Sequence, residues 1–319
     1  MSSNPAPIRR LPRFDGRGRI SWKPRLSATT SQAAQSTIKV AVPMDVTADP
    51  LRWHTTHDII MDGGVVIKRF RSWARNEPAR EWAALRLLAY RADGLAPRPL
   101  SASLDADPPV ITMSWLPGRP LAGAAISPGM LDALATALER LWASVPPVEL
   151  SGLPVTETGP GELARLIRER LPAAPDLGDD PVVLDAAAAG TGWLDAADWP
   201  SPGDGELVLG QGDSNLANFL YHDGRVRLVD FEDCAPSDRP FELAVLVEHL
   251  SSWSDAGLDA DDLLARFDLT AAEQRRLLDY RRLAALFWLA HLRPGSRASR
   301  RNPPGTLTRQ AARLRRLLG

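Results

Sequence analysis

Residues Leu209 to Leu246 read LGQGDSNLANFLYHDGRVRLVDFEDCAPSDRPFELAVL, and this stretch decides how the rest of the chain is understood. An apolar run ends at Leu209. A short polar loop follows, holding Gln211, Gly212, Asp213, Asn215 and Asn218. Two apolar segments, Asn218 to Tyr221 and Val226 to Val229, then flank His222-Asp223-Gly224. Asp-Gly between alternating apolar segments predicts a hairpin. The second strand runs into Asp230-Phe231-Glu232, with further acids at Asp233 and Asp238. Asp213 and Asn218 are thereby set on one side of the hairpin and Asp230 on the other.

Such an arrangement suits metal-assisted phosphoryl transfer. One carboxylate can orient and deprotonate an attacking hydroxyl. An amide oxygen and a second carboxylate can hold Mg²⁺, a hard ion that prefers oxygen ligands. Asp213 is then the candidate base, and Asn218 and Asp230 are the candidate metal ligands. The same residues also suit a plain polar turn ahead of a hairpin, because turns collect Asn, Asp and Gly.

The stretch resembles the aminoglycoside phosphotransferase and choline kinase-like family, which shares the protein kinase architecture. That family carries His-Gly-Asp, four residues, Asn, and then a strand ending in Asp. Gln211-Gly212-Asp213 and Asn218 match it, with Gln211 standing where the family has His. The family's acidic, Gly-Asp-Pro and Asp-Leu-Ala continuation is matched by Asp230-Phe231-Glu232, Ser237-Asp238-Arg239-Pro240 and Glu242-Leu243-Ala244. The resemblance implies an α+β, two-lobe, protein-kinase-like fold. It makes Asp213 the catalytic Asp and Asn218 and Asp230 the Mg²⁺ ligands. Asp238 is expected to brace the catalytic loop, Gln211 to hold it together, and Glu232 to assist at the metal or face the acceptor.

Composition sets wider limits. The chain has 319 residues, a net charge of -1 and 44% apolar residues, enough for a full core or two lobes around a cleft. The single cysteine, Cys234, excludes an intramolecular disulfide framework and fits a reducing, cytoplasmic setting. No apolar run is long enough for a membrane span, and the N-terminus lacks the apolar stretch of a secretory signal. Near-zero net charge gives no support for nucleic-acid binding. The expected partners are a nucleotide and a hydroxyl-bearing small molecule, with the chain a monomer or homodimer.

Residues 1 to about 36 are rich in Pro, Ser, Arg and Gly and read as an extended arm, and Ile38 to Val46 as a first strand or lead-in helix. His54 to Phe70 reads as a hairpin turning at Asp62-Gly63-Gly64. Lys68 follows its apolar run, on the face opposite Arg69, and is the candidate to hold nucleotide phosphates. By position, Thr55 and Thr56 lie in the loop that covers the phosphates in the family, but the loop is not Gly-rich. His54 and His57 read as loop or surface histidines. A helix is expected after a capping Asn76, with Pro78 in its first turn and Trp82, Leu85, Leu88 and Ala89 as its apolar stripe. Glu81 on its flank is placed to pair with Lys68, and Glu77 is the alternative.

Val110 to Trp115 reads as a strand, and by resemblance Ser114, Trp115 and Leu116 line the adenine pocket through backbone groups. Helices are expected over Pro128 to Val145, Gly161 to Leu171 and Pro181 to Leu194, the last broken at Gly190 and Gly192, with residues 146 to 160 as loop. The acids Asp176, Asp179, Asp180, Asp195 and Asp198 meet a cationic acceptor or form a solvated face. Glu242 to Leu250 is expected to be helical with Asp238 as its N-cap, and Leu263 to Leu292 supplies one or two more helices, with Trp288 and His291 in the core or walling the acceptor. The tail from Arg293 has eight arginines and no acid, and Thr308 to Leu318 reads as an amphipathic helix docked on the body.

The expected organisation is an arm over 1–36, a nucleotide-binding lobe over 37–115, and a catalytic and acceptor-binding lobe over 116–319. The expected activity is Mg²⁺-dependent transfer of a γ-phosphate from ATP or GTP to a hydroxyl of an aminoglycoside-like acceptor. A kinase for choline, a sugar or another metabolite alcohol is the alternative within the class. A pseudokinase or nucleotide-sensing interaction protein, suggested by Gln211 and the Gly-poor loop, is the alternative outside it.

Overall fold

The computed structural model describes residues 57–150, 153, 159–171, 177–197 and 207–319, all within one compact unit, His54–Gly319. The expected arm, the segment Ile38 to Val46, and His54, Thr55, Thr56, Asp176 and Asp198 lie outside the described residues.

Strands β1 (His57–Asp62) and β2 (Val65–Phe70) form an antiparallel hairpin closed by Asp62 opposite Val65. Gly63 and Gly64 have φ of 53° and 85°. Both values are positive, as a two-residue turn matched to strand twist requires, so Asp62 ends a strand and is not part of the turn. Helix α1 (Glu77–Arg91) leads to β3 (Pro99–Ser103) and β4 (Val110–Ser114). The four strands make one antiparallel sheet in the order β1-β2-β4-β3. Ala84, Leu85 and Leu88 of α1 are buried and pack with Phe70, Ile111 and Met113 of the sheet. Asn76 stands at the start of α1 in a left-handed conformation, φ 63°, and makes no side-chain cap. A capping side chain needs an extended backbone to reach the first-turn N–H groups. Glu77 instead accepts the Arg75 N–H at 2.9 Å.

The chain beyond Ser114 is mainly helical. Strand β5 (Arg119–Pro120) and helices α2 (Pro128–Trp142), α3 (Pro147–Leu150), α4 (Pro160–Arg170) and α5 (Pro181–Ala196) lead to the catalytic-type segment. Within it lie β6 (Leu207–Gly210), β7 (Phe219–His222), β8 (Arg225–Leu228) and β9 (Ala235–Asp238). Strands β5, β7 and β8 form one small sheet, and β6 and β9 another. Helices α6 (Arg239–Glu248), α7 (Ala260–Leu264), α8 (Ala271–His291), α9 (Arg297–Arg301) and α10 (Thr306–Leu318) complete the chain.

Three expectations change here. The span 146–160 contains the short helix α3. Strand β7 begins at Phe219, because Asn218 closes a 3₁₀ turn, Leu216–Asn218. Helix α5 runs unbroken through Gly190 and Gly192. Gly190 is there for closeness: a Cβ would meet Leu286 Cδ1 at 2.8 Å and Leu314 Cδ2 at 3.1 Å. Packing against α8 and α10 outweighs the poor helix propensity of glycine, about 1 kcal/mol. The basic tail docks as expected, with Ala311 and Leu314 of α10 buried beside Leu283 and Leu286 of α8.

Candidate active site

The alternation of β2 turns Lys68 inward and Arg69 outward, since neighbours on a strand face opposite sides. Lys68 is 2% exposed. Its ammonium meets Glu81 Oε2 at 2.7 Å, Asp230 Oδ1 at 2.5 Å and Glu232 Oε2 at 3.0 Å. Burial works against that charge, but the pull of Glu81, then Asp230 and Glu232, outweighs it and holds the lysine above its usual range. Glu77 is not the lysine's partner; it pairs with Arg75. His57, expected as a loop or surface residue, is 8% exposed and lies 3.4 Å from Glu232. Strand β1 begins at this histidine and points it at the same cluster.

The loop after β6 is held from several sides. Gln211 Nε2 donates to the Asp230 and Val229 carbonyls at 2.8 and 3.2 Å, and its Oε1 accepts the Asp213 N–H at 2.8 Å. The Asp213 carboxylate accepts the Asn215 N–H at 3.2 Å and the Asn218 amide N–H at 2.9 Å. Burial first, then the charge of Asp230, pushes Asp213 up to about 6. Asp230 follows β8 with φ of 64°. A left-handed Asp is strained by an amount of order 1 kcal/mol and is tolerated where surroundings fix it; here Lys68 and Gln211 do so.

Asp238 does not brace this loop. It makes no side-chain cap on α6, and Arg276 takes its carboxylate at 2.9 Å. The brace is Glu242, which accepts the Gln211 N–H at 3.1 Å and the Ser237 hydroxyl at 2.7 Å. Arg80 was also missed. It is fully buried, and its Nε donates to the Glu232 carbonyl at 2.5 Å while a terminal nitrogen donates to the Arg75 carbonyl at 3.0 Å. Its signal was available: Arg80, Ala84 and Leu88 share a helical stripe, so the arginine lies on the core face.

Ser114 ends β4. Its N–H donates to the Arg98 carbonyl at 2.9 Å, and the Trp115 N–H to the Gly64 carbonyl at 2.8 Å. Both donors are committed to the protein.

A cavity of about 840 Å³ adjoins Asp213, walled by α4, β9, α6 and α8. Phe241, Val245, Phe287 and Trp288 line it. Trp288 thus walls the space beside Asp213, whereas His291 turns to Arg170 at 2.9 Å. Among the described residues of the middle region, Asp179, Asp180 and Asp195 do not line it: Asp180 caps α5 and accepts the Thr308 hydroxyl, and Asp195 lies 4.0 Å from Arg168.

Asn218 and Asp230 present hard oxygen donors where carboxylate charge is in excess, for Asp230 raises the pKa of Asp213. That donor chemistry fits Mg²⁺. Donor atoms of His57, Asp230 and Glu232 also converge within 4.8 Å. Imidazole is a poor ligand for Mg²⁺, and Lys68 already bridges the two carboxylates.

The phosphotransferase enzyme family model matches residues 49–286. Among solved structures, a choline/ethanolamine kinase family protein from Mesorhizobium loti is 18% identical, with TM-score 0.55 over 83% of this chain and 85% of that one. The GDP complex of wild-type aminoglycoside 2'-phosphotransferase-IIIa is 16% identical, with TM-score 0.57 over 82% and 89%. Spectinomycin phosphotransferase in complex with ADP and spectinomycin is 11% identical, with TM-score 0.51 over 81% and 87%. No curated protein matches the chain. Among the described residues, no helix is long and apolar enough to cross a membrane. The structural neighbours share the two-lobe, kinase-like fold, and the family match covers most of the chain: it belongs to the phosphotransferase enzyme family.

Proposed function

We propose that the chain transfers the γ-phosphoryl group of ATP or GTP to a hydroxyl of a small molecule, with Mg²⁺ as cofactor. One observation carries the reading. The half-buried carboxylate of Asp213, held by Asn215 and Asn218, lines a cavity large enough for an acceptor and interacts with Asp230, which Lys68 and Glu81 anchor.

In this reading the acceptor hydroxyl approaches Asp213 from the cavity. Asp213 takes its proton as the oxygen bonds to the γ-phosphorus, and the nucleoside diphosphate departs. Lys68, kept in place by Glu81, steadies the α- and β-phosphates. Glu232, tied to Lys68 and His57, keeps that lysine on the cleft side. Mg²⁺ bound by Asn218 and Asp230 would offset charge on the phosphate oxygens. Thr55, Thr56, Ser114, Trp115 and Leu116 would contact the nucleotide, between a lobe over 37–115 and a lobe over 116–319. Aminoglycoside-like and choline-like acceptors both fall within this class of reaction.

The test incubates the full chain with Mg²⁺, ATP or GTP, and a panel of alcohols, reading product mass. A product heavier by one phosphoryl group, lost in Asp213→Asn while that variant still binds nucleotide, supports the reading. Absence of both transfer and nucleotide binding would overturn it.

A further inference from the structure

The walls of the cavity beside Asp213 carry a large apolar and aromatic share. Phe241 and Val245 of α6, Phe287 and Trp288 of α8, and Leu163 and Leu166 of α4 line it. Among the described lining residues only Glu162, Asp213 and Glu242 carry carboxylates. Two of these are committed. Glu242 is buried and holds Gln211 and Ser237. Glu162 is gripped by Arg165, with Nε to Oε2 at 2.7 Å. Asp213 is the base of the proposed reaction. Two guanidinium groups also line it, Arg75, which is paired with Glu77 and Asp233, and Arg170, which meets His291. His249, also in the lining, adds no positive charge near neutral pH, because its Nδ1 accepts the Ser251 N–H at 3.1 Å and burial lowers its pKa to about 4.

A polycationic acceptor would bring several ammonium groups into this space and meet, among the described lining residues, no carboxylate without a partner or a role in the reaction. Burying a charge without a partner is strongly unfavourable. An apolar acceptor gains roughly 25 cal/mol for each Å² of surface it buries on such walls. The volume, about 840 Å³, lies within the range of drug-sized ligand sites. A choline-sized cation would leave most of it unfilled.

We infer that the acceptor of this site is a neutral, mainly apolar alcohol of fused-ring or macrocyclic size, seated between Phe241, Val245 and Trp288 with its hydroxyl at Asp213. This rests on the phosphotransferase reading for the transfer step, whereas the binding preference stands on the cavity alone.

The experiment therefore reads binding and transfer separately. Calorimetry on the full chain compares neutral fused-ring and macrocyclic alcohols with kanamycin and choline, with and without Mg²⁺ and a non-hydrolysable ATP analogue. Transfer is followed by product mass with ATP and GTP. The expected result is binding of one or more neutral alcohols, with kcat/KM at least about 100-fold above that for kanamycin or choline. Trp288→Ala should raise the KM for the neutral alcohol about tenfold while the KM for nucleotide stays within twofold, and Trp288→Phe should recover most of the loss. Val245→Asp should weaken the neutral alcohol and improve the cationic ones. Better binding or transfer of kanamycin or choline overturns the inference and leaves the phosphotransferase reading standing. Trp288-dependent binding of the neutral alcohol without transfer sustains the inference and counts against that reading. Binding by no member of the panel overturns the inference.

Discussion

Gln211 and Asp213 are joined directly: the Gln211 side-chain oxygen accepts the Asp213 N–H at 2.8 Å while its amide nitrogen reaches the Asp230 carbonyl, also at 2.8 Å. One side chain thereby sets the spacing between the expected base and an expected metal ligand. Gln211→Leu keeps the volume but leaves these buried groups unpaired, at about 1–3 kcal/mol. Transfer should fall roughly tenfold or more, as small misplacements at reacting groups are costly, with little change in the KM for nucleotide. Gln211→His should recover activity, since an imidazole N–H can donate to the same carbonyl. Steady-state kinetics on the three proteins, with thermal melts as control, check this. Activity of Gln211→Leu equal to that of the wild type would show that the staple does not position the loop.

Lys68 holds three carboxylates together, and its removal should be felt in stability as well as activity. Lys68→Met leaves Glu81, Asp230 and Glu232 close to one another with their shared cation gone. Breaking a buried ion pair in this way costs about 3–5 kcal/mol. The clustered acids would then have raised pKa values in the folded state, so the native protein would take up protons more readily than the unfolded chain. Stability of the variant relative to wild type should therefore recover as pH falls from 7.5 toward 5. Urea melts at both values test the sign; a deficit that grows on acidification would contradict the argument.

Two glycines should respond unequally to alanine. Gly212 has φ of 85°, and a Cβ there would lie 2.0 Å from the Asp233 carbonyl oxygen. Backbone cannot yield cheaply, so Gly212→Ala should displace the loop and cut transfer by about 100-fold. Gly190 sits in α5, where the added Cβ meets only the ends of leucine side chains, Leu286 and Leu314. Those can shift, and alanine gains up to about 1 kcal/mol of helix propensity. Gly190→Ala should be near neutral in a thermal melt, while Gly190→Val should cost about 1–3 kcal/mol through overpacking.

Local chemistry explains how much of this was legible in the sequence. Both hairpins announced themselves through Gly63-Gly64 and Asp223-Gly224, whose positive φ values fit two-residue turns. Lys68 could be told from Arg69 because strand alternation is strict. Glu81, on the flank of the α1 stripe, is placed by sequence to reach Lys68, with Glu77 left as the alternative until Glu77 is seen to pair with Arg75. What stayed hidden depended on contacts between distant segments. Glu242 reaches Gln211 across 31 positions, and Arg80 reaches Glu232 across 152. Asp238 and Asn76 occupy helix-start positions in sequence, yet their backbone or partners deny them the capping bond. Gly190 read as a helix breaker because propensity is local, whereas the helices it admits lie far along the chain. The cavity wall, likewise, needed α6 and α8 to be set side by side.

His249 supplies a pH dependence of known sign. It is half-buried, lines the cavity, and has a folded-state pKa lowered by burial to about 4 from an ordinary 6.5. Protonating Nδ1 would also remove the acceptor of the Ser251 N–H. Between these two values the unfolded chain binds the proton and the native protein does not, so the histidine's contribution to stability is intact near pH 7. It is lost progressively as pH falls from about 6.5 to about 4, by at most about 3 kcal/mol. The buried acids Glu81 and Glu242 and the half-buried Asp213 and Asp233 have raised pKa values and act in the opposite direction. The comparison that isolates His249 is therefore wild type against His249→Phe, both followed by urea melts at pH 7.5, 6 and 5. The variant should start less stable, with the Ser251 N–H unpaired, and its deficit should shrink as pH drops. A deficit that stays constant across the series would mean that His249 titrates alike in the folded and unfolded chains.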